Sequence, residues 1–123
     1  MNFLLVMLGG AIGSAARYLV GNLTLDWFGP AFPWGTLAVN LVGGFLMGGL
    51  AGILARAGGA EHIRLLIGVG VLGGFTTFSA FSLDAARMIE RGQGSVAAIY
   101  ALVSVLGSVL ALFAGLYLVR AVA

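Results

Sequence analysis

Four apolar stretches, each about long enough to cross a bilayer, fill this chain almost end to end. A helix rises about 1.5 Å per residue, so roughly 20 apolar residues span a hydrocarbon core of about 30 Å. Stretches of that kind run at approximately 3–23, 34–55, 63–89 and 96–119. In lipid, every backbone N–H and C=O must be satisfied within the protein, so such stretches fold as helices. With 61% hydrophobic and 8% charged residues over 123 positions, the chain lacks the polar surface of a soluble domain. The expected fold class is an all-α integral membrane protein, one domain over 1–123 with four transmembrane helices. Little chain is left for an extramembrane catalytic domain, and no enzymatic activity is expected.

Punctuation between the spans is sparse. "DWFGPAFPW" carries Gly29, Pro30 and Pro33 and reads as a loop with aromatics at a membrane interface. "RAGGAEHIR" and "ERGQGS" read as short polar connections. Asp26, Glu61 and His62 are expected in loops, and His62 has no second His or Cys with which to share a metal. There is no cysteine, so disulfide and thiol chemistry are excluded. The opening "MNFLLVMLGG" lacks a positive flank and reads as a permanent first span rather than a cleaved signal. All six basic residues are arginines, scattered singly, so no polybasic patch for nucleic acid or anionic lipid is present.

Those arginines cast no vote on orientation. Arg56, Arg64 and Arg120 fall on the side of the N-terminus, and Arg87, Arg91 and an outward-reaching Arg17 on the other. A chain without that bias can insert both ways, and opposed copies can then pair as an antiparallel homodimer. The plainer alternative is an orientation set by a partner or by weak cues.

Polar groups inside spans are costly and few. Arg17 lies in the last third of the first span, either reaching to the interface or serving as a fixed charge that draws anions. Asn40 follows Thr36 by one turn on the same face of the second span, as interhelical glue or as a donor to an ion. In the fourth span Tyr100, Ser104 and Ser108 form one slowly drifting stripe. Each serine either bonds the carbonyl one turn back or belongs to a hydroxyl track. Asp84 and Arg87 are spaced to pair on one helix face. Glycines recur at four-residue spacing, as at Gly9 and Gly13 or Gly44, Gly48 and Gly52, and predict close helix–helix approach.

The third span carries an anomaly at its centre, "GGFTTFSAFS" from Gly73 to Ser82. Phe75, Phe78 and Phe81 recur every third residue, each followed by a hydroxyl at Thr76, Ser79 or Ser82. The pair Gly73–Gly74 invites a break in the helix. A broken helix at membrane depth exposes carbonyls that suit cations and amides that suit anions. Ring edges are positive, and hydroxyls and amides donate hydrogen bonds, so the set suits a small dehydrated anion. The alternative is an aromatic packing cluster. No carboxylate pair, activated nucleophile or phosphate loop lies within the spans.

"GGAIGSAARY", "GTLAVNLVGG" and "GGFTTFSAFS" fall in order on spans one, two and three, and together they resemble the Fluc (CrcB) family of fluoride channels. The resemblance covers essentially the whole chain. It implies an antiparallel, dual-topology homodimer in a microbial cell membrane, with two pores at the subunit interface and passive export of fluoride. It places Phe78 and Phe81 as pore-lining rings, Asn40 as the pore asparagine, Arg17 as the first-span arginine, and Tyr100, Ser104 and Ser108 as the polar track. Thr77 and Ser79 are implied hydroxyl contributors. A structural sodium ion at the dimer centre is implied on the backbone carbonyls of Gly73 and Thr76 from both subunits. Ala80 stands where the family commonly has Thr, and Ser14 where it has Ala. Asp84 occupies a position where an acid, often Glu, is expected.

Two rival readings remain at this point. A small multidrug-type, proton-coupled transporter also has four short spans, but needs a membrane-embedded carboxylate, usually in span one, where this chain has only Arg17. A structural membrane subunit without transport activity predicts that the hydroxyl stripe is dispensable.

Overall fold

A computed structural model describes residues 1–122. Helix α1 (Asn2–Phe28) is followed by α2 (Trp34–Arg56), and α6 (Gly94–Ala121) is the last of the described helices. Between them lies a composite run. It starts with the single turn α3 (Glu61–Ile63), widens into a π-wound segment (Arg64–Leu72), and closes with α4 (Gly73–Phe75) and then α5 (Phe78–Glu90). α1, α2, the run Glu61–Glu90 and α6 are each long and apolar enough to cross a membrane. The helices outlast the apolar stretches that predicted them. Asp26 lies inside α1, and Glu61 and His62 begin α3, so none of the three is a loop residue. The fall in hydropathy marks where the bilayer would end, not where backbone hydrogen bonding ends.

α2 packs chiefly along α6, α1 along the π-wound segment and α4, and α5 against α6. The seams depend on missing side chains. A Cβ on Gly13 would run into the carbonyl of Val71, and one on Gly48 into the carbonyl of Leu112. The glycine spacing therefore serves close backbone approach, as expected in lipid. A small core joins Leu37, Met88, Ala97 and Tyr100, with Phe32, Leu41, Phe81 and Ala85 packed against it.

The glycine pair of the third span is itself helical, with Gly73 at φ −62° and ψ −39°. The expectation that Gly73–Gly74 opens the helix is corrected: Gly74 is needed for packing, since a Cβ there would sit 2.7 Å from the Gly10 carbonyl. Extended backbone falls instead on Thr76 (φ −84°, ψ 158°) and Thr77 (φ −153°, ψ 123°). Threonine suits both positions. Its branched Cβ favours extended backbone. Its hydroxyl also completes the flanking turns: Thr76 Oγ1 donates to the Leu72 carbonyl at 2.9 Å. The Ala80 N–H donates to Thr77 Oγ1 at 3.2 Å, capping α5.

Candidate functional site

The extended pair faces a groove of about 410 Å³ walled by α2, α5 and α6. Asn40, Thr76, Thr77, Phe78, Phe81, Ser104 and Ser108 all line it, together with small and aliphatic residues. No lining residue carries a formal charge. Gly43 leaves the space that the methyl group of Thr76 occupies.

Asn40 reaches across from α2 and pairs with the main chain of Thr77 twice. Its Nδ2 donates to the Thr77 carbonyl at 3.0 Å, and the Thr77 N–H donates to its Oδ1 at 2.8 Å. A side-chain amide here replaces a helical partner, which extended backbone inside a membrane requires. The consequences spread along the chain. In a continuous helix the Thr77 N–H would serve the Gly73 carbonyl, and the Ala80 N–H would serve that of Thr76. Both donors are diverted, to Asn40 and to Thr77 Oγ1. The Gly74 carbonyl instead accepts Arg17 Nε at 3.1 Å.

The hydroxyls divide into satisfied and unsatisfied. Ser82 bonds the carbonyl one turn back, that of Phe78, at 3.0 Å. Ser104 does not: its Oγ is buried and has no hydrogen-bond partner among the described residues. A buried, unpaired hydroxyl costs about 1–3 kcal/mol, so a hydrogen-bond partner from outside the described residues would stabilise it. The rings of Phe78 and Phe81 lie 5.5 Å apart at 41°. Phe78 is 75% exposed, while Phe81 is half-buried.

Other candidates sit behind or beside the groove. Tyr100 is wholly buried; its ring lies 5.1 Å from that of Phe81 and its hydroxyl donates to Asp84 Oδ2 at 3.1 Å. The expected pairing of Asp84 with Arg87 is therefore replaced by a bond to α6; among the described residues the ion pair is Glu61–Arg64, at 2.7 Å. Arg17 is half-buried on the α4 end rather than in the groove. Ser79 Oγ approaches Thr77 Oγ1 at 3.4 Å. Phe75 does not line the groove; it lies beside Gly43. Sequence reasoning missed a second recess of about 300 Å³, where Phe32 and the first loop meet Asp84, Arg87 and Arg91. The two prolines flanking Ala31–Phe32 were its one trace in the sequence.

Residues 4–116 match the family model described as "CrcB-like protein, Camphor Resistance (CrcB)". A protein of Phenylobacterium zucineum named fluoride-specific ion channel FluC is 60% identical over 121 residues, covering 97% of this chain and 95% of that protein. Proteins of the same name from a Caulobacter species and from Sphingopyxis alaskensis are 59% and 55% identical, covering 95% and 94% of this chain and 93% and 92% of theirs.

Proposed function

The chain belongs to the CrcB family, and on that footing we propose that it is a fluoride-selective channel in a bacterial membrane. It is a multi-pass membrane protein rather than an enzyme. The ion's identity comes from relatives that align over nearly their whole length and bear that name. Within the molecule the observation that carries the reading is the Ser104 hydroxyl, buried and unpaired on the wall of an uncharged groove.

Fluoride is small and strongly hydrated, so closely placed donors must offset its dehydration. Ser104, Ser108 and the second N–H of Asn40 are such donors, and Phe78 and Phe81 offer ring edges. Thr77 caps α5 at Ala80, while N–H groups of its first turn remain without intrahelical partners and add positive potential. A narrow path with closely set donors disfavours the larger chloride ion. Cytoplasmic fluoride is trapped because the neutral acid enters and dissociates; a potential negative inside then drives the anion out, by about 2.3 kcal/mol per 100 mV. Export needs no coupling site.

The groove is open on one side, and Phe78 projects from it. Lipid would leave the Ser104 hydroxyl and the Thr76 carbonyl without hydrogen-bond partners. We place a second, antiparallel copy over it, giving two pores at the interface of a dual-topology homodimer. Sodium fits the same arrangement. The Gly73 and Thr76 carbonyls have lost their helical donors, and neutral carbonyl oxygens suit a hard monovalent cation. Those two carbonyls, from both copies, would hold a structural sodium that ties the subunits together.

The proton-coupled alternative requires a carboxylate on the transport path, and none lines the groove. Liposomes test the difference. Fluoride efflux through the purified protein is expected to proceed at the same rate when a protonophore abolishes any pH gradient. Efflux that stops without that gradient would replace the channel by a coupled transporter.

A further inference from the structure

Four aromatic rings run from the first loop to the groove. Phe32 stands edge-on to Tyr100 at 5.3 Å and 82°. Tyr100 lies 5.1 Å from Phe81, and Phe81 lies 5.5 Å from Phe78. The Tyr100 ring is enclosed, so a change at one face is passed to the other: it is 0% exposed, its hydroxyl is bonded to Asp84, and it shares a core with Leu37, Met88 and Ala97. The first ring is also held. Phe32 lies between Pro30 and Pro33, its carbonyl accepts the Trp34 N–H at 2.9 Å, and its ring lies 4.7 Å from that of Trp34. The last two rings are the less enclosed end, since Phe81 is half-buried and Phe78 is 75% exposed. Close-packed interiors transmit displacement, and edge-to-face pairs prefer defined tilts.

We propose that Phe32, which lies outside the groove, is a positioning residue that sets the tilt of Phe81 through the buried ring of Tyr100. Its influence on transport rests on the fluoride reading; its influence on the ring does not. The chain of contacts makes the first loop, by way of a single side chain, a determinant of the groove's aromatic wall. Phe32 also lines the recess that holds Arg87 and Arg91, so one aromatic stack links that recess to the groove.

The test uses Phe32→Leu, which keeps apolar volume but removes the ring, and Phe32→Trp, which restores an aromatic edge. Two readouts are taken in the full-length reconstituted protein: fluoride efflux rate, and the fluorine NMR resonance of 4-fluorophenylalanine incorporated at position 81. Phe32→Leu is expected to slow efflux about three- to tenfold, the range set by loss of one aromatic pair, and to shift and broaden the resonance. Phe32→Trp is expected to recover both. In a Tyr100→Leu background, Phe32→Leu should change neither further. An unmoved resonance in Phe32→Leu, or an effect undiminished in the Tyr100→Leu background, overturns the proposal. If the unmutated protein passes no fluoride in the same vesicles, the channel reading fails, and the resonance alone decides the coupling.

Discussion

Ser104 and Asn40 meet the same demand, a polar side chain inside a membrane span, in opposite ways. Asn40 is spent on the protein, with two bonds to the Thr77 backbone. Ser104 is not. Replacing Ser104 with Ala is therefore expected to leave thermal stability unchanged or raise it by about 1 kcal/mol, because an unpaired hydroxyl is removed. The same change should lower fluoride efflux severalfold. A stability loss, read from the detergent melting curve, would mean that the hydroxyl bonds within the protein after all. Asn40→Leu should behave oppositely, costing about 1–3 kcal/mol by leaving Thr77 N–H and C=O unpaired, with faster proteolysis at the extended pair as the measurement. Both side chains were legible in the sequence as costly polar residues. Their partners were not, because a backbone acceptor or an unoccupied donor leaves no mark on residue spacing. Arg17 illustrates the point: the Gly74 carbonyl that receives it looks like any other residue of an apolar run.

Helices, by contrast, were readable from length and hydropathy, and the glycine spacing announced their seams. Substitution should separate the glycines that touch a neighbour from those that do not. Gly13→Val is expected to destabilise by about 1–3 kcal/mol or more and to disrupt folding in detergent, since its side chain would meet the Val71 carbonyl. Gly21→Ala should be neutral or slightly stabilising, because a Cβ there meets nothing within 4 Å. Chemical denaturation of the two variants side by side checks this. What could not be read is the winding of the third run. After Arg64, its π-wound segment, Arg64–Leu72, carries no polar side chain, so little periodic contrast distinguishes one helical pitch from another. The glycine pair misdirected the reading for a related reason. Glycine permits extended backbone but does not require it, and here close packing against Gly10 decides its use, while the two threonines carry the extended conformation.

At the level of the whole molecule, the proposed function depends on a second copy covering the groove. Arginine balance predicts that cysteines introduced at the C-terminus are labelled from each side of the membrane in about half of the copies, whereas single-sided labelling would end the antiparallel arrangement. Sodium should lengthen dimer lifetime relative to a large organic cation if the Gly73 and Thr76 carbonyls hold it, and an unchanged lifetime would remove that site. The central claim is that this groove passes fluoride and rejects chloride. Vesicles loaded with both anions, reconstituted with the purified protein and read with fluoride and chloride electrodes in one suspension, test it most directly. Fluoride is expected to empty on opening a potassium leak while chloride stays inside. Retention of both ions by vesicles shown to contain the folded protein, or equal loss of both, would contradict the account.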